Sequence, residues 1–353
     1  MASQSQTHFF GRAWQISINS QANGPLTISQ SSWEPEGLRI TFDIEEYAMQ
    51  AYWYADVTIW NLNRGQQQAL LTSGVPAGAL PTGGDTWTYN DKIIQGDTLS
   101  ISAGYQYNFN PASSLLFKGA VLQPMWSREN VVDWKITLRC VVGLLQDADQ
   151  SVNFPVGAGV TQAAIVAMIC DQAHMNQDNI DTAALSGTTA RGQTIYGKPI
   201  EVLSEIADEN NLQMWISPNG LSMRSLAFSK ADNPDVIYAP PLVPGTPAAT
   251  GAINSKVKYT LIGVPQQTQE GVIFTVLLDA EPKIGSIVQL QTGTAINQLP
   301  RTIGVLPGIL DPNGVYVVCG IRHTGDTRGN PWYTEITALT WNWGQLRLES
   351  SQP

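Results

Sequence analysis

The chain reads as mainly β with a smaller α+β part, organised as two tube-like β-barrel domains flanking a mixed α+β domain. Short runs that alternate apolar and polar residues, punctuated by glycine, fill both ends of the 353 residues, which is the pattern of half-buried strands. Helical spacing is confined to the middle. A block near the C-terminus, Val315–Leu339, has a weaker copy at Leu116–Leu138. In each, an apolar run ends near a glycine (Gly119, Gly320), a polar turn follows, and an aromatic strand carries Ile-Thr (Ile136-Thr137, Ile336-Thr337). A duplicated β-module is therefore expected.

Three domains are expected, over residues 1–147, 148–237 and 238–353. In the first, Leu38–Ile44 and Ala55–Leu62 alternate as half-buried strands do. Ser73–Asp91 holds four glycines and two prolines, a long loop of the kind that forms interfaces or carries function. Gly96-Asp97-Thr98-Leu99-Ser100-Ile101 opens a further strand, and Gly285-Ser286-Ile287-Val288-Gln289-Leu290 is its counterpart in the last domain.

The residue pattern changes after Asp149, within the middle domain. Thr161 can cap a helix over Val160–Met175 whose apolar face is Val160, Ala164, Ile165, Met168 and Ile169. A second helix, Lys198–Asn210, has Pro199 in its first turn, with Ile200, Leu203, Ile206 and Ala207 at helical spacing. Ser217-Pro218-Asn219-Gly220 then marks a hairpin. A proline-rich linker, Ala239–Pro247, leads to strands at Val272–Leu278, Ile287–Leu290, Val315–Ile321 and Tyr333–Leu339.

Only 14% of residues are charged and 43% are hydrophobic, whereas ordinary soluble domains carry roughly 25% charge. Such a surface loses water at little cost, which suits burial in an assembly; a secreted β-rich protein is the plainer reading of the same composition. The net charge of −10 comes with no basic run, which argues against sequence-specific nucleic-acid binding and against anionic membranes. No signal peptide and no membrane span is expected. Cys140, Cys170 and Cys319 are odd in number and sit in apolar segments, as buried free thiols of a reducing compartment do.

Chemistry is sparse. There is no nucleophile elbow, no zinc-protease helix motif and no phosphate-cradling loop, and the three histidines, His8, His174 and His323, are scattered. His174 reads as a helix-end partner and His323 as a surface residue at a strand end. Asp43, Glu45 and Glu46 cluster, as do Asp147 and Asp149; solvated loops explain both groups, and paired carboxylates for glycoside hydrolysis are the alternative. Asp178–Asp181 offers oxygens without a calcium-loop pattern. No catalytic residue, metal or cofactor is expected. Of eleven tryptophans, Trp60 and Trp134 lie in alternating strands and read as core, while Trp53, Trp87 and Trp343 are the candidate interface residues.

Several short motifs in order carry a resemblance. Asp56–Asn63, Gly96–Leu99, Ala103-Gly104-Tyr105 and Leu116–Gly119, followed by Leu261–Pro265, Gly271-Val272, Asn313–Val318 and His323–Thr334, together resemble baseplate hub proteins of contractile-tailed bacteriophages. The resemblance spans nearly the whole chain and departs from the family at Ser73–Asp91. It implies a structural virion protein of the tail baseplate, assembled in the host cytoplasm. It implies a homotrimer whose six barrels form a pseudo-sixfold ring, with the tail tube, the central spike and other baseplate proteins as partners and DNA passing through the lumen. A hub of a non-contractile tail is the neighbouring reading. A cell-wall or polysaccharide hydrolase, or a carbohydrate-binding tail component, is the alternative from another class.

Overall fold

The computed structural model describes residues 11–20, 24–30, 37–48, 52–63, 98–142, 151–228, 232–241, 256–268, 270–292 and 314–340. The first region contains β1 (Arg12–Ser20), β2 (Gly24–Gln30), β3 (Ile40–Tyr47), β4 (Trp53–Trp60), β5 (Thr98–Tyr105), β6 (Leu115–Arg128) and β7 (Trp134–Val142). The middle contains β8 (Val152–Val156), α1 (Gln162–Gln172), β9 (Gln177–Ile180), β10 (Gln193–Gly197), α2 (Pro199–Glu209), β11 (Gln213–Ser217) and β12 (Gly220–Arg224). The last region contains β13 (Val236–Tyr238), β14 (Val257–Lys258), β15 (Leu261–Gln267), β16 (Gly271–Leu277), β17 (Ile287–Leu290), β18 (Val315–Asp326) and β19 (Trp332–Leu339). The fold is mainly β with a small α+β part, as the residue pattern predicts.

The first seven strands pair in the order β2-β1-β5-β6-β7-β4-β3, and the last seven in the order β14-β13-β17-β18-β19-β16-β15. Adding twelve to each strand number of the first order produces the second. Registers agree as well. Thr98 faces Ala120 where Ile287 faces Val317, and Tyr54 faces Val141 where Gly271 faces Leu339. Both hairpins carry a bulge after their second pair, with Leu122 the extra residue of β6 and Cys319 that of β18. A bulge bends a strand and shifts the faces of all later residues, so a shared bulge is a specific sign of equivalence. One departure is β13, which runs parallel to both its neighbours while β1 runs antiparallel to its own.

The repeated strands are thus the expected ones, and β5 matches β17 in the expected register. Within the hairpins the register differs from the one that residue identity suggests. Gly119 occupies the position of Tyr316, and Gly320 that of Gln123. Ile136 corresponds to Thr334, two residues before the matched-looking Ile336. The bulge sets the correspondence, and the glycines serve local packing.

One joint fuses the two sets into a single 14-stranded sheet: β18 lies antiparallel to β3, from Gly320 opposite Tyr47 to Asp326 opposite Thr41. Strand β3 alternates buried and half-buried residues along its whole length. Its buried Ile40, Phe42 and Ile44 join Val57, Ile59, Ile321 and Ile336 in one continuous core. Apolar area removed from water stabilises the sheet by roughly 25 cal/mol per Å².

In the middle part, β8 pairs with β10, and β11, β12 and β9 form a small second sheet. Thr161 caps α1, its hydroxyl accepting from the N–H of Ala164 at 3.2 Å. The buried face of α1 is Ile165, Val166, Ile169 and Cys170, and Met168 is exposed, so the helix is rotated from the expected face; Val166 and Cys170 are core residues that helical spacing from Val160 leaves out. Helix α2 buries Ile200, Leu203, Ile206 and Ala207 as expected. Pro218 and Asn219 form the two-residue turn between β11 and β12, and Gly220 takes a φ of 142° beside the Asn176 carbonyl. The segment Ser73–Asp91, the pair Asp147 and Asp149, His8, Trp87 and Trp343 lie outside the described residues, as does most of the linker after Pro241.

Candidate functional site

The joint between β3 and β18 is the feature that no single seven-stranded unit would need. Its two faces differ in chemistry because side chains alternate across a strand. On the inner face Phe42 lies against Gly325, where an added Cβ would sit 2.2 Å from the ring; on the opposite face Tyr47 lies against Gly320 at 2.3 Å. Glycine is required at both places to admit the rings. Phe42 also meets Trp332 edge-on, with centroids 5.4 Å apart.

On the other face Arg322 grips Asp43 through two bonds of 2.8 and 2.6 Å and reaches Glu45 at 3.4 Å. Hydrogen bonding to Asp43 pushes the Arg322 guanidinium further up from its already high range. At the end of the joint Arg39 donates to Asp326 at 2.8 and 3.3 Å while lying over the Trp60 ring at 4.5 Å. Burial alone would raise the Asp326 carboxyl, but the bonds from Arg39 and from the backbone of Arg328 and Gly329 hold it below the usual carboxylate value. Arg12 donates to the carbonyls of Asp326, Gly329 and Asn330, and Arg328 donates to that of Gly37. Three arginines therefore tie the turn after β18 to the first unit.

The expected solvated loop at Asp43–Glu46 is instead the middle of β3. Its parity sends Asp43 and Glu45 to the Arg322 face and buries Glu46 on the opposite one at 3% exposure. Glu45 and Glu46 consequently cannot flank one glycosidic bond. Desolvation raises the Glu46 carboxyl to about 7, opposed by the charge of Lys283. His323, expected at the surface, is 1% exposed, its Nδ1 lying 2.9 Å from the Thr334 hydroxyl. Strands β3 and β19 cover it from both sides, which an isolated hairpin would not do. Burial holds its imidazole neutral, with the pKa depressed to about 3.

Glu46 opens onto a cavity of about 630 Å³ between the joint and the middle part, lined also by Trp53, Asp178, Trp215, Arg224 and Lys283. Trp53 is 4% exposed, and its indole N–H donates to the Tyr47 carbonyl at 3.0 Å. Asp178 accepts from Ser217 at 3.0 Å and from Ser222 at 3.4 Å. Among the described residues no three His, Cys, Asp or Glu side chains are placed to share a metal ion. Trp134, expected in the core, is 37% exposed and stacks on Trp126 at 5.6 Å, with Arg128 over its ring at 4.9 Å. It lies next to the tip of the β6–β7 hairpin, beyond the main core. Cys140, Cys170 and Cys319 are free thiols, the last half-buried.

Sequence reasoning missed Arg12, Arg39 and Phe42 as members of this joint. The available signal was the alternation of Asp43 and Glu45 on one strand with Arg322 on another, but strands so far apart in sequence give no sign that they pair.

No protein-family model matches the chain, and no curated protein matches it by sequence. Solved structures do. A tail protein from Neisseria meningitidis MC58 superposes with a TM-score of 0.52 at 11% identity, covering 94% of this chain and 98% of the other. A 43 kDa tail protein of prophage MuSo2 from Shewanella oneidensis gives 0.51 at 11% identity, covering 94% and 99%. The chain has the fold of phage tail proteins over nearly its whole length.

Proposed function

We propose that the chain is a structural component of a phage tail, and specifically the baseplate hub: a homotrimer whose six related units form a pseudo-sixfold ring between the sixfold tail tube and a threefold central spike, with DNA passing through the lumen. The observation that carries this reading is the identical pairing order of the two seven-stranded sets. Three chains can offer six similar contacts only if each carries the unit twice. Units at residues 1–147 and 238–353 are the two tube-like barrels of this proposal, and residues 148–237 the intervening α+β domain. Low charge suits a protein covered by neighbours on several sides. Trp53, Trp87 and Trp343 are carried as interface residues, Trp53 through the cavity it lines.

Tail membership is supported by the shared fold, and the hub role by the duplication together with the motif resemblance. No enzymatic step belongs to the proposal. Light scattering on the purified chain is expected to give three times the 38.3 kDa subunit mass, and the trimer is expected to bind its spike protein in a pull-down. A protein that stays monomeric at high concentration and ignores the spike would remove the hub reading.

A further inference from the structure

The correspondence of strands assigns a counterpart to each side of the internal joint: β15 stands where β3 stands, and β6 where β18 stands. Inside the chain β3 is paired with β18, but among the described residues β15 forms a ladder with β16 alone, with the Leu261 N–H donating to the Ala239 carbonyl at 3.1 Å, and β6 beyond Ala120 forms a ladder with β7 alone. Among the described residues these two stretches, one on each unit, carry no second ladder, and they are complementary by the same logic that joins the closed pair.

Exposure agrees. From Gly320 to Gly325, β18 is buried or half-buried throughout, whereas in the equivalent stretch of β6, Gln123–Arg128, only Pro124 and Trp126 are even half-buried. Strand β3 has no fully exposed residue, while β15 exposes Ile262, Gly263, Val264 and Gln266. The exposed large apolar side chains concentrate here: Leu122 and Met125 on β6, Val131 and Val132 at its hairpin tip, and Ile262 and Val264 on β15. The end strands β2 and β14 expose none among the described residues. Bare edges with apolar side chains are what a soluble chain covers.

We infer that β15 of one copy pairs antiparallel with Gln123–Glu129 of a second copy, head to tail, repeating between subunits the joint that β3 and β18 make within one. The inference rests on the ring reading above for the number of copies, but the strands and their register come from the internal joint. Transferring that register places Thr268 opposite Met125, Gln267 opposite Trp126 and Gln266 opposite Ser127, the counterparts of Glu45–Arg322, Ile44–His323 and Asp43–Thr324. The irregular stretch at Gly263–Pro265, which β3 lacks, faces Arg128, and Ile262 faces Glu129. Where the internal joint is held by Arg322 with Asp43 and Glu45, the external one has Met125 with Gln266 and Thr268. It is therefore an apolar and hydrogen-bonded contact with little dependence on salt. Because the two surfaces differ, the contact is heterologous, which excludes a two-fold dimer; it yields a ring where the rotation closes, and the number of copies in that ring comes from the proposed function.

Cysteine pairing tests this in the full chain. Directly opposed residues of antiparallel strands have Cα atoms roughly 4.5–5.5 Å apart, within disulfide range. Ser127→Cys and Gln266→Cys are both exposed changes. Under oxidised glutathione neither variant alone is expected to cross-link, their mixture should give a covalent dimer, and the double variant a covalent trimer. The single variants also control for Cys140, Cys170 and Cys319. A trimer by mass that gives no cross-link in the mixture, or one that cross-links through Ser127→Cys alone, overturns this strand pairing and leaves the ring reading standing. A monomer overturns both. Met125→Lys with Ile262→Lys supplies a second measure: a shift from trimer to monomer with unchanged circular dichroism is expected, and an unshifted trimer is the contrary result.

Discussion

Adding one methyl group at Gly325 tests the packing of the internal joint. The residue lacks the positive φ that would penalise a side chain for backbone reasons, so Gly325→Ala probes space alone. Its Cβ would fall 2.2, 2.4 and 2.9 Å from three atoms of the Phe42 ring. That ring is 2% exposed and backed by Trp332, itself 2% exposed, so it has no free direction of retreat. Overpacking of this kind costs about 1–3 kcal/mol. Phe42→Ala alone removes a fully buried ring and costs about 3–5 kcal/mol, with a further contribution of about 0.5–1.5 kcal/mol from the edge-on aromatic pair. In the Phe42→Ala background the new methyl meets only the space the ring has left. The double variant should therefore be about as stable as Phe42→Ala alone, giving a coupling of at least about 1 kcal/mol where independent sites add to within about 0.5 kcal/mol. Urea unfolding at matched slope measures all four corners of the cycle. Simple additivity, or a Gly325→Ala change that costs nothing in the native background, would refute the tight apposition of β3 and β18.

Two further outcomes follow from buried titratable groups. Glu46 keeps its proton up to about 7 in the folded chain against a reference value of 4.5, so its contribution to stability is fully present below 4.5 and is lost as pH rises through about 7. Glu46→Gln, which does not titrate, should gain on the native chain over that window by up to roughly 3 kcal/mol; melting temperatures measured from pH 4 to 8 that stay parallel would exclude it. Burial pushes the Cys170 and Cys319 thiols up to about 11 and about 12, and Cys140 higher still. Since the thiolate is the reacting form, Ellman's reagent at neutral pH should label the native chain slowly and all three thiols promptly in urea; rapid native labelling would contradict their burial.

Much of the strand content was legible because alternation writes burial directly into sequence. Ile40, Phe42 and Ile44 announce the inner face of β3, and Ile287–Leu290 could be matched to Thr98–Ile101 residue for residue. Pairing was not legible. Alternation tells which face of a strand is buried but not which strand lies beside it, so nothing near Asp43 announces Arg322, 279 residues away. Parity after a bulge is equally hidden. Leu122 and Cys319 each add one residue to their strand, which decouples spatial equivalence from the glycine and Ile-Thr matches visible along the chain. The same long-range pairing explains His323 and Glu46. Each looks solvent-facing beside its own turn or loop residues, and each is covered only when two distant strands meet.

The distance between β3 and β18 also has a consequence in time. On a chain growing at about 5–20 residues per second, β3 waits roughly 15–55 s for its partner to be synthesised. During that interval it is a bare edge in a crowded cell, able to template pairing with the β3 of another nascent chain. Asp43 and Glu45 lie on one face of that edge, and until Arg322 arrives they are uncompensated negative charges. Two such strands brought together would oppose carboxylate to carboxylate, which is unfavourable. The acidic pair that later anchors the finished joint thus acts first as a guard, discouraging the wrong partner until the residue that neutralises it has left the ribosome.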